Sequence, residues 1–340
     1  MKTLKVIESE NTSIEKPEKK SIWIEKYRPK DFDNIIGQEK NINILKNLLK
    51  NKSLPHLLFH GNSGVGKTST INAISEYLYG KNKVFMVMRL DASDDRGINS
   101  VREEIKGFAE KMTISNKGVK LIILDEADSM TFDAQFALRR IIEKYSDNTR
   151  FCLICNYENK IIKPIKSRCV DIRFYPIDEN IIVNKLKIIC DNENVKYTLN
   201  GINTIAKLSN GDMRKSINIL QSLHSLSDVI KSSVCYNILA IPTIKTTEKI
   251  MDYLIDKNKS FDSVYKLINK YIISEGISIS LFLKELYDYI INNMNTIISK
   301  VGDDEFIRFT VELSELESKS IISTFSDIYI IGLISIFKKN

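Results

Sequence analysis

The sequence lacks any long apolar run. No apolar stretch in its 340 residues approaches the length of roughly 20 residues that is needed to cross a bilayer. The opening residues, Met1–Lys20, mix lysine and glutamate instead of leading into an apolar segment. We therefore expect a soluble protein with no secretory signal and no membrane partner, and we interpret residues 1–20 as a disordered extension.

Cysteines are also few. The five are scattered along the chain, which is typical of reduced thiols in an intracellular protein and excludes a disulfide scaffold. Cys152 and Cys155 have C-x-x-C spacing, but they lie in a short apolar run typical of a buried strand. Because no second Cys or His pair stands at ligand spacing, we expect no zinc site. The net charge of +7 suits an anionic partner but also describes many ordinary soluble proteins.

Apolar runs that alternate with amphipathic segments begin near Leu57 and end near Phe174. This alternation predicts an α/β domain, spanning 21–176, in which parallel strands are joined by helical crossovers. The predicted strands are Leu57–His60, Val84–Leu90, Val119–Leu124, Arg150–Asn156 and Val170–Phe174. The predicted helices between them are Lys67–Tyr79, Asn99–Lys111 and Asp133–Tyr145.

The strand signal fades after Pro176. Three short helices are predicted in 177–230, at Glu179–Cys190, Leu199–Leu208 and Asp212–Leu226. The remainder, 231–340, is helical again, with segments at Glu248–Ile255, Phe261–Ile272, Ile279–Ile298 and Ile321–Phe337. No chemical motif occurs there, so we expect this region to pack against itself or a neighbour.

The strongest local motif matches the phosphate-binding pattern G-x-x-x-x-G-K-[ST] between a predicted strand and a predicted helix. Its glycines let backbone N–H groups and the helix N-terminus face phosphate. Lys67 would reach the outer phosphates and Thr68 would bind Mg²⁺. We therefore predict ATP with Mg²⁺, bound by Gly61, Asn62, Ser63, Gly64, Val65, Gly66, Lys67, Thr68 and Ser69.

Two adjacent carboxylates end the predicted strand Val119–Leu124. Asp125 would orient the Mg²⁺ shell and Glu126 would activate the attacking water. A strand can also end in acidic residues that serve a turn or a helix cap, but the preceding P-loop favours the catalytic interpretation. A small-molecule kinase would not need the second carboxylate, so the pair favours ATP hydrolysis.

Seven motifs occur in the order found in small subunits of replication factor C, and the sequence resembles that family of AAA+ clamp-loader ATPases. They are Trp23–Pro29, Ile36–Gln38, the P-loop, Asp91–Gly97, Asp125–Asp128, Ser167–Cys169 and Gly211–Arg214. The likeness covers about Trp23 to Leu226; beyond it, only length and helical character match. It implies a P-loop AAA+ domain with a five-stranded parallel sheet, a helical lid and an all-α collar for oligomerisation.

The resemblance implies further site residues. The adenine pocket would be bordered by Tyr27, Arg28, Pro29, Ile36 and Gly37. Asn156 would sense the γ-phosphate and Arg214 would be a second sensor on the lid; alternatively, Asn156 merely ends a strand and Arg214 is a solvated helix residue. Asp91 stands where the family commonly has Asn, which would bring a further negative charge near Glu126.

Arg168 would be an arginine finger that acts on ATP held by the adjacent subunit. The alternative is an ordinary surface arginine before a strand. A finger acting in trans leaves the site incomplete in the monomer, so we expect a five-subunit assembly like those of the family.

The resemblance also suggests partners. DNA phosphate would be bound by Arg102, Lys106, Arg139 and Arg140. The alternatives are salt bridges to Glu103 and Glu143 or contacts with a neighbouring subunit. Phe108 and Met112 could anchor a sliding clamp or pack in the core.

The expected function is an ATPase that loads a PCNA-like clamp onto primer-template DNA, in the nucleus of a eukaryote or in the cytoplasm or a viral replication site. The alternatives are another DNA motor such as a branch-migration helicase, a loader for a specialised clamp, and a nucleotide-binding scaffold.

Overall fold

The computed structural model describes residues 22–51, 54–92, 98–111, 118–320 and 326–338. The predicted disordered extension, 1–20, and Met112 lie outside these ranges. The chain divides into two compact units. The first holds the residues up to Ile181 together with Gly211–Asn218, and the second holds Ile182–Asn210 and the residues from Ile219 onward.

A five-stranded sheet organises the first unit, as the sequence predicted. All its strands are parallel, in the order β2-β3-β4-β1-β5. The strands are β1 His56–Gly61, β2 Val87–Asp91, β3 Lys120–Asp125, β4 Thr149–Cys155 and β5 Cys169–Phe174. The helices are α1 Trp23–Lys26, α2 Glu39–Lys50, α3 Lys67–Tyr79, α4 Lys83–Met86, α5 Ile98–Glu110, α6 Phe132–Tyr145 and α7 Lys163–Lys166.

Both faces of the sheet are buried, since side chains alternate along each strand. Leu57 packs with α2 and α3, whereas Leu58 packs with α5, α6 and α7. Cys152 belongs to the first core and Cys155 to the second, so the two thiols face opposite sides and cannot ligate one ion. Burial raises the pKa of Cys155 to about 12, which keeps it a neutral thiol.

The predicted strand Val84–Leu90 is wrong in its first half. Lys83–Met86 forms the short helix α4, and pairing with β3 begins only at Val87 opposite Leu121. Val84 and Phe85 are 82% and 65% exposed, so they do not share the burial of the strands. An apolar run alone could not show where pairing starts.

The second unit is helical. The three helices predicted after Pro176 are present as α8 Glu179–Asn192, α9 Leu199–Ser209 and α10 Met213–Leu226, the last beginning in the first unit. A two-stranded parallel sheet, β6 Lys196–Tyr197 with β7 Val229–Ile230, is too short to leave a sequence signal. The later helices are α11 Ser232–Ile238, α12 Ile244–Ile255, α13 Phe261–Glu275, α14 Ile279–Asn292, α15 Met294–Val301, α16 Asp303–Ser320 and α17 Ser326–Phe337.

Two predictions for this region were wrong. The single helix Ile279–Ile298 is two helices, because α14 ends at Asn292 and α15 begins at Met294. The helix α16 was missed, although Phe309 and Leu313 of its buried stripe have helical spacing. No helix among the described residues is long and apolar enough to cross a membrane.

Candidate nucleotide site

The P-loop, Asp125 and Asn156 meet at one edge of the sheet. They follow or end the three central strands β1, β3 and β4. Because parallel strands end at a common edge, residues distant in sequence converge there.

The backbone of the P-loop requires glycine. Gly61, Gly64 and Gly66 have φ angles of 139°, 66° and 102°, a region that side-chain-bearing residues rarely adopt. A Cβ on Gly61 would also collide with the Phe174 carbonyl oxygen, and one on Gly64 would collide with the Asp212 carboxylate. The loop then leads into the N-terminus of α3, where free N–H groups favour phosphate.

Lys67 links the P-loop to the end of β4. Its Nζ donates to the carbonyl oxygens of Gly61 at 2.6 Å and Asn62 at 2.7 Å, and to Asn156 Oδ1 at 3.0 Å. The residue is only 7% exposed. Burial lowers the pKa of Lys67, and the charge of Arg214 acts in the same direction.

The two predicted Mg²⁺ ligands are adjacent. Thr68 Oγ1 donates to Asp125 Oδ2 at 3.2 Å. Arg89, which the sequence analysis did not single out, forms an ion pair with the same oxygen at 2.7 Å. A hydroxyl and a carboxylate are hard oxygen ligands, so the donor set fits Mg²⁺ held together with phosphate and water.

Glu126 follows Asp125 in a left-handed conformation, with φ 54° and ψ 38°. This backbone region is uncommon for a residue with a side chain and is found preferentially at functional sites. The backbone turn is supported by Ser129, whose N–H and hydroxyl both donate to the Glu126 carbonyl oxygen. The side chain of Glu126 is exposed, so water can reach its carboxylate.

Asp128 fixes the segment that carries Asn156. Its Oδ2 accepts from the backbone N–H groups of Asn156 at 3.3 Å and Tyr157 at 3.1 Å. Asp128 belongs to the acidic motif Asp125–Asp128, but no role for it was predicted from the sequence. Its position three residues after Asp125, in the same acidic motif, could have indicated that it lies at the site.

The start of α10 lies against the P-loop. The Met213 N–H donates to the Gly64 carbonyl oxygen at 3.2 Å. Asp212 caps the helix by accepting from the Lys215 N–H at 2.9 Å. Arg214 is exposed, and its positive charge contributes to the lowered pKa of Lys67.

Of the segments predicted to border the adenine, the one that contains Gly37 reaches the P-loop through the next residue, Gln38. Gly37, with φ 73°, lies against Ile177, and a Cβ there would stand 3.0 Å from Ile177 Cγ2. The following residue, Gln38, donates to Tyr175 O at 2.7 Å and Val65 O at 3.4 Å.

The other candidates on this border are half-buried. Arg28 pairs with Glu25 at 3.3 Å. Tyr27, Pro29 and Ile36 share its degree of burial.

Asp91 ends β2 directly opposite Asp125 in the strand register. The Ala92 N–H after it donates to the Asp125 carbonyl oxygen at 2.9 Å. Asp91 is therefore paired with Asp125 and not with Glu126.

Arg168 lies at the opposite edge of the sheet. It precedes Cys169, which pairs with His56 at the start of β1, whereas the P-loop follows the other end of β1. Five strand residues at about 3.3 Å each separate the two edges by about 17 Å. Arg168 donates to Pro164 O at 2.6 Å and pairs with Glu143 Oε1 at 2.5 Å. Its contacts are therefore with α6 and α7.

The basic residues predicted to contact DNA lie on α5 and α6. Lys106 and Arg140 are exposed. Arg139 is half-buried and its Nε lies 3.4 Å from Glu143 Oε1, so the alternative salt bridge is present. Arg102 belongs to α5, but its side chain is outside the described part. Phe108 packs at the rim of the core, which favours the alternative to a clamp contact.

Two family models match the chain. Residues 57–177 match the ATPase family associated with various cellular activities (AAA), and residues 184–225 match the RCF1/5-like, AAA+ ATPase lid domain. The chain is 44% identical to a probable replication factor C subunit 5 of Dictyostelium discoideum, with 82% of each protein covered. It is 40% identical to replication factor C subunit 5 of Mus musculus, covering 89% of this chain and 91% of that protein.

The chain belongs to the replication factor C family. The resemblance predicted from the motifs is thus confirmed, and this replication factor C family member is an ATP-hydrolysing enzyme with an AAA+ domain. It also has the fold of the Thermotoga maritima RuvB Holliday junction branch migration motor, with a TM-score of 0.52 over 78% of this chain and 91% of that one. At 19% identity, that likeness concerns the fold alone.

Proposed function

We propose that the chain is an ATPase subunit of a clamp loader, which uses ATP binding and hydrolysis to load a ring-shaped sliding clamp onto primer-template DNA during replication. The observation that carries the proposal is the division of the site between the two edges of one sheet. Lys67, Asp125 and Asn156 converge at one edge, and Arg168 lies about 17 Å away. A subunit built in this way needs a neighbour.

The residues at the P-loop edge suit ATP hydrolysis. Lys67 is in position to exchange its carbonyl partners for phosphate oxygens. Thr68 and Asp125 would hold Mg²⁺, which when bound neutralises charge on the phosphates. Glu126 would accept the proton of the attacking water. Asn156, already bonded to Lys67, would contact the γ-phosphate, and Arg214 would approach it from α10.

Two features, Arg168 and a pair of exposed apolar residues on α16, support assembly with other subunits. Arg168 would complete the ATP site of an adjacent subunit in a five-subunit assembly. In the second unit, Ile307 and Val311 of α16 are 61% and 54% exposed at i, i+4 spacing. Exposed apolar residues on one face are typical of a surface that contacts another chain.

The proposed DNA contacts are with phosphates. Lys106 and Arg140 are exposed cations on neighbouring helices, and Arg102 and Arg139 would add to them. Such contacts position a duplex without reading its sequence. Binding should therefore weaken steeply with salt and show little sequence preference. The proposed clamp is PCNA-like.

The test is steady-state ATP hydrolysis by the chain with its co-purifying partners, alone and with primed DNA and the clamp of the same source. We expect DNA and clamp together to stimulate turnover, and Arg168→Ala to abolish the stimulation while ATP still binds. Stimulation by DNA with indifference to the clamp would indicate another DNA motor. No turnover with any partner would indicate a nucleotide-binding scaffold.

A further inference from the structure

A buried histidine directly precedes the P-loop and has no part in the chemistry proposed above. His60 is 8% exposed. Its Nε2 lies 3.0 Å from Asp171 Oδ1 and 3.4 Å from Glu158 Oε2. Because ionised carboxylates only accept hydrogen bonds, Nε2 carries the hydrogen and donates to Asp171, with Glu158 as a second, longer partner.

The three residues come from three segments of the nucleotide machinery. His60 is joined to Gly61 of the P-loop. Glu158 follows Asn156 by two residues, and Asp171 follows Arg168 by three. His60 lies on the same face of β1 as Leu58, the face that α7 covers. The imidazole thus contacts both the loop that carries Asn156 and the edge strand that follows Arg168.

Lys67 and His60 each connect the P-loop region to the segment that carries Asn156. The Lys67 ammonium spans the gap between the Gly61 carbonyl and the Asn156 side chain. On the other side of the same gap, His60 spans from the residue before Gly61 to the residue two beyond Asn156. His60 and Glu158 therefore form a second connection between the same two segments.

A lysine ammonium also lies beside this cluster. Glu158 also lies 3.9 Å from Lys166 Nζ of α7, two residues before Arg168. Two carboxylates, one imidazole and one ammonium thus face each other, with Asp171 and Glu158 half-exposed at the rim. The cluster joins α7 to β1, β5 and the loop after β4.

We propose, on the basis of the roles proposed for Asn156 and Arg168, that His60 is a positioning residue that holds these two segments in register with the P-loop. It does not touch nucleotide. Its N–H aligns the Asn156 side chain with Lys67 and fixes the start of β5 behind Arg168. Removing the donor should lower turnover more than nucleotide binding, since the P-loop backbone and Lys67 remain.

The experiment uses the full chain with its partners and the variants His60→Leu and His60→Gln. Leucine removes the donor, whereas glutamine keeps an N–H that can reach one carboxylate. His56→Gln is the matched control. His56 is the first residue of the same strand, at the edge away from the P-loop, and its Nδ1 accepts from the Phe151 N–H at 3.1 Å.

We expect His60→Leu to lower kcat about tenfold, the size typical of losing a hydrogen bond to a charged group, with KM for ATP changed less than about twofold. His60→Gln should recover most of the loss, and His56→Gln should leave kcat unchanged. Equal losses in His56→Gln and His60→Leu, or losses that follow only the melting temperature, would overturn the proposal because they indicate a structural role.

A double-mutant cycle with Asn156→Ala tests the mechanism. If His60 acts through Asn156, the double variant should turn over within about twofold of Asn156→Ala alone, and strictly additive losses would contradict this. Unchanged turnover in Asn156→Ala would overturn both the role of Asn156 and its positioning by His60. A full effect of Asn156→Ala with none of His60→Leu would overturn only the latter.

Thermal unfolding with added Zn²⁺ and no nucleotide distinguishes a donor from a metal ligand. We expect no stabilisation that depends on the cluster. Stabilisation of the wild-type chain that is lost in Asp171→Asn would overturn the proposal, since Nε2 would then bind the metal ion instead of donating a hydrogen bond.

Discussion

The two edges of the central sheet differ in how their functional groups are held. At the carboxyl edge, Lys67 bonds to two carbonyls and to Asn156, and Thr68 bonds to Asp125. At the amino edge, Arg168 is exposed, donates to Pro164 of α7 and to Ser167, and pairs with Glu143 of α6. The first edge is an organised binding site, whereas at the second the Arg168 side chain remains exposed.

The difference fits our proposal that one chain carries two incomplete halves of a catalytic site. The two edges are about 17 Å apart along the strands, so in this account Arg168 is too far from the P-loop of its own chain to contact a nucleotide bound there. It would instead serve a nucleotide on a neighbour. Changes at the two edges should therefore have separable effects on nucleotide binding and on turnover.

The largest expected effect is that of Arg168→Ala on turnover by the assembly. We expect a loss on the order of 10³-fold or more, since a finger supplies charge stabilisation only in the transition state. Lys163→Ala, which removes an exposed cation from α7 just before Arg168, is the control and should turn over normally. A loss below tenfold in Arg168→Ala would break the comparison between the edges.

The next effect is at the carboxyl edge. Glu126→Gln should lower turnover by about 10²-fold or more, because the amide cannot accept the proton of water, while ATP binding persists. Asp133→Asn removes an exposed carboxylate from the first turn of α6 and should be silent. The assay is single-turnover hydrolysis alongside equilibrium binding; a loss of binding in Glu126→Gln would assign the carboxylate a different role.

Gly64→Ala sharpens the comparison by damaging only the P-loop. The new Cβ meets the Asp212 carboxylate, and the residue must keep φ 66°. Left-handed backbone costs a non-glycine residue about 1–2 kcal/mol. The free loop should relax to relieve this strain, and ATP affinity should fall about tenfold because binding must restore the strained conformation. Isothermal titration measures this. Gly107→Ala, at a helical position with open space, should keep full affinity, and an equal loss there would contradict the account.

The smallest effect concerns the ion pair that holds Arg168. Exposed pairs contribute about 0.2–1 kcal/mol, so Glu143→Gln should raise assembly turnover by at most about fivefold, because the finger leaves its partner more easily. The increase should vanish in an Arg168→Ala background. A large fall in Glu143→Gln would instead make Glu143 necessary for aiming the finger.

The sequence predicted the carboxyl edge well because its signals are local. The P-loop glycines and Lys67 are neighbours along the chain, as are Asp125 and Glu126. The alternation of apolar runs with amphipathic segments predicted a parallel sheet. Such a sheet brings its carboxyl ends together, so Asn156 could be expected there.

Contacts set by register could not be predicted. Arg89 reaches Asp125 only because β2 and β3 pair with Asp91 opposite Asp125. The His60 cluster likewise depends on the pairing of β1 with β5. A single sequence contains the residues but not the alignment of the strands that carry them. The start of β2 was predicted wrongly for the same reason. Val84 and Val87 are the same residue type, and only their different positions in the fold distinguish them.

The most direct test of the division between the two edges is the equilibrium affinity of the isolated chain for ATP when it carries Arg168→Ala. We predict an affinity within about twofold of the wild-type chain, because Arg168 lies at the far edge from its own P-loop. Lys67→Ala, measured beside it, should bind far more weakly. A tenfold or greater loss of affinity in Arg168→Ala would show that the arginine serves the site of its own chain and would contradict the account.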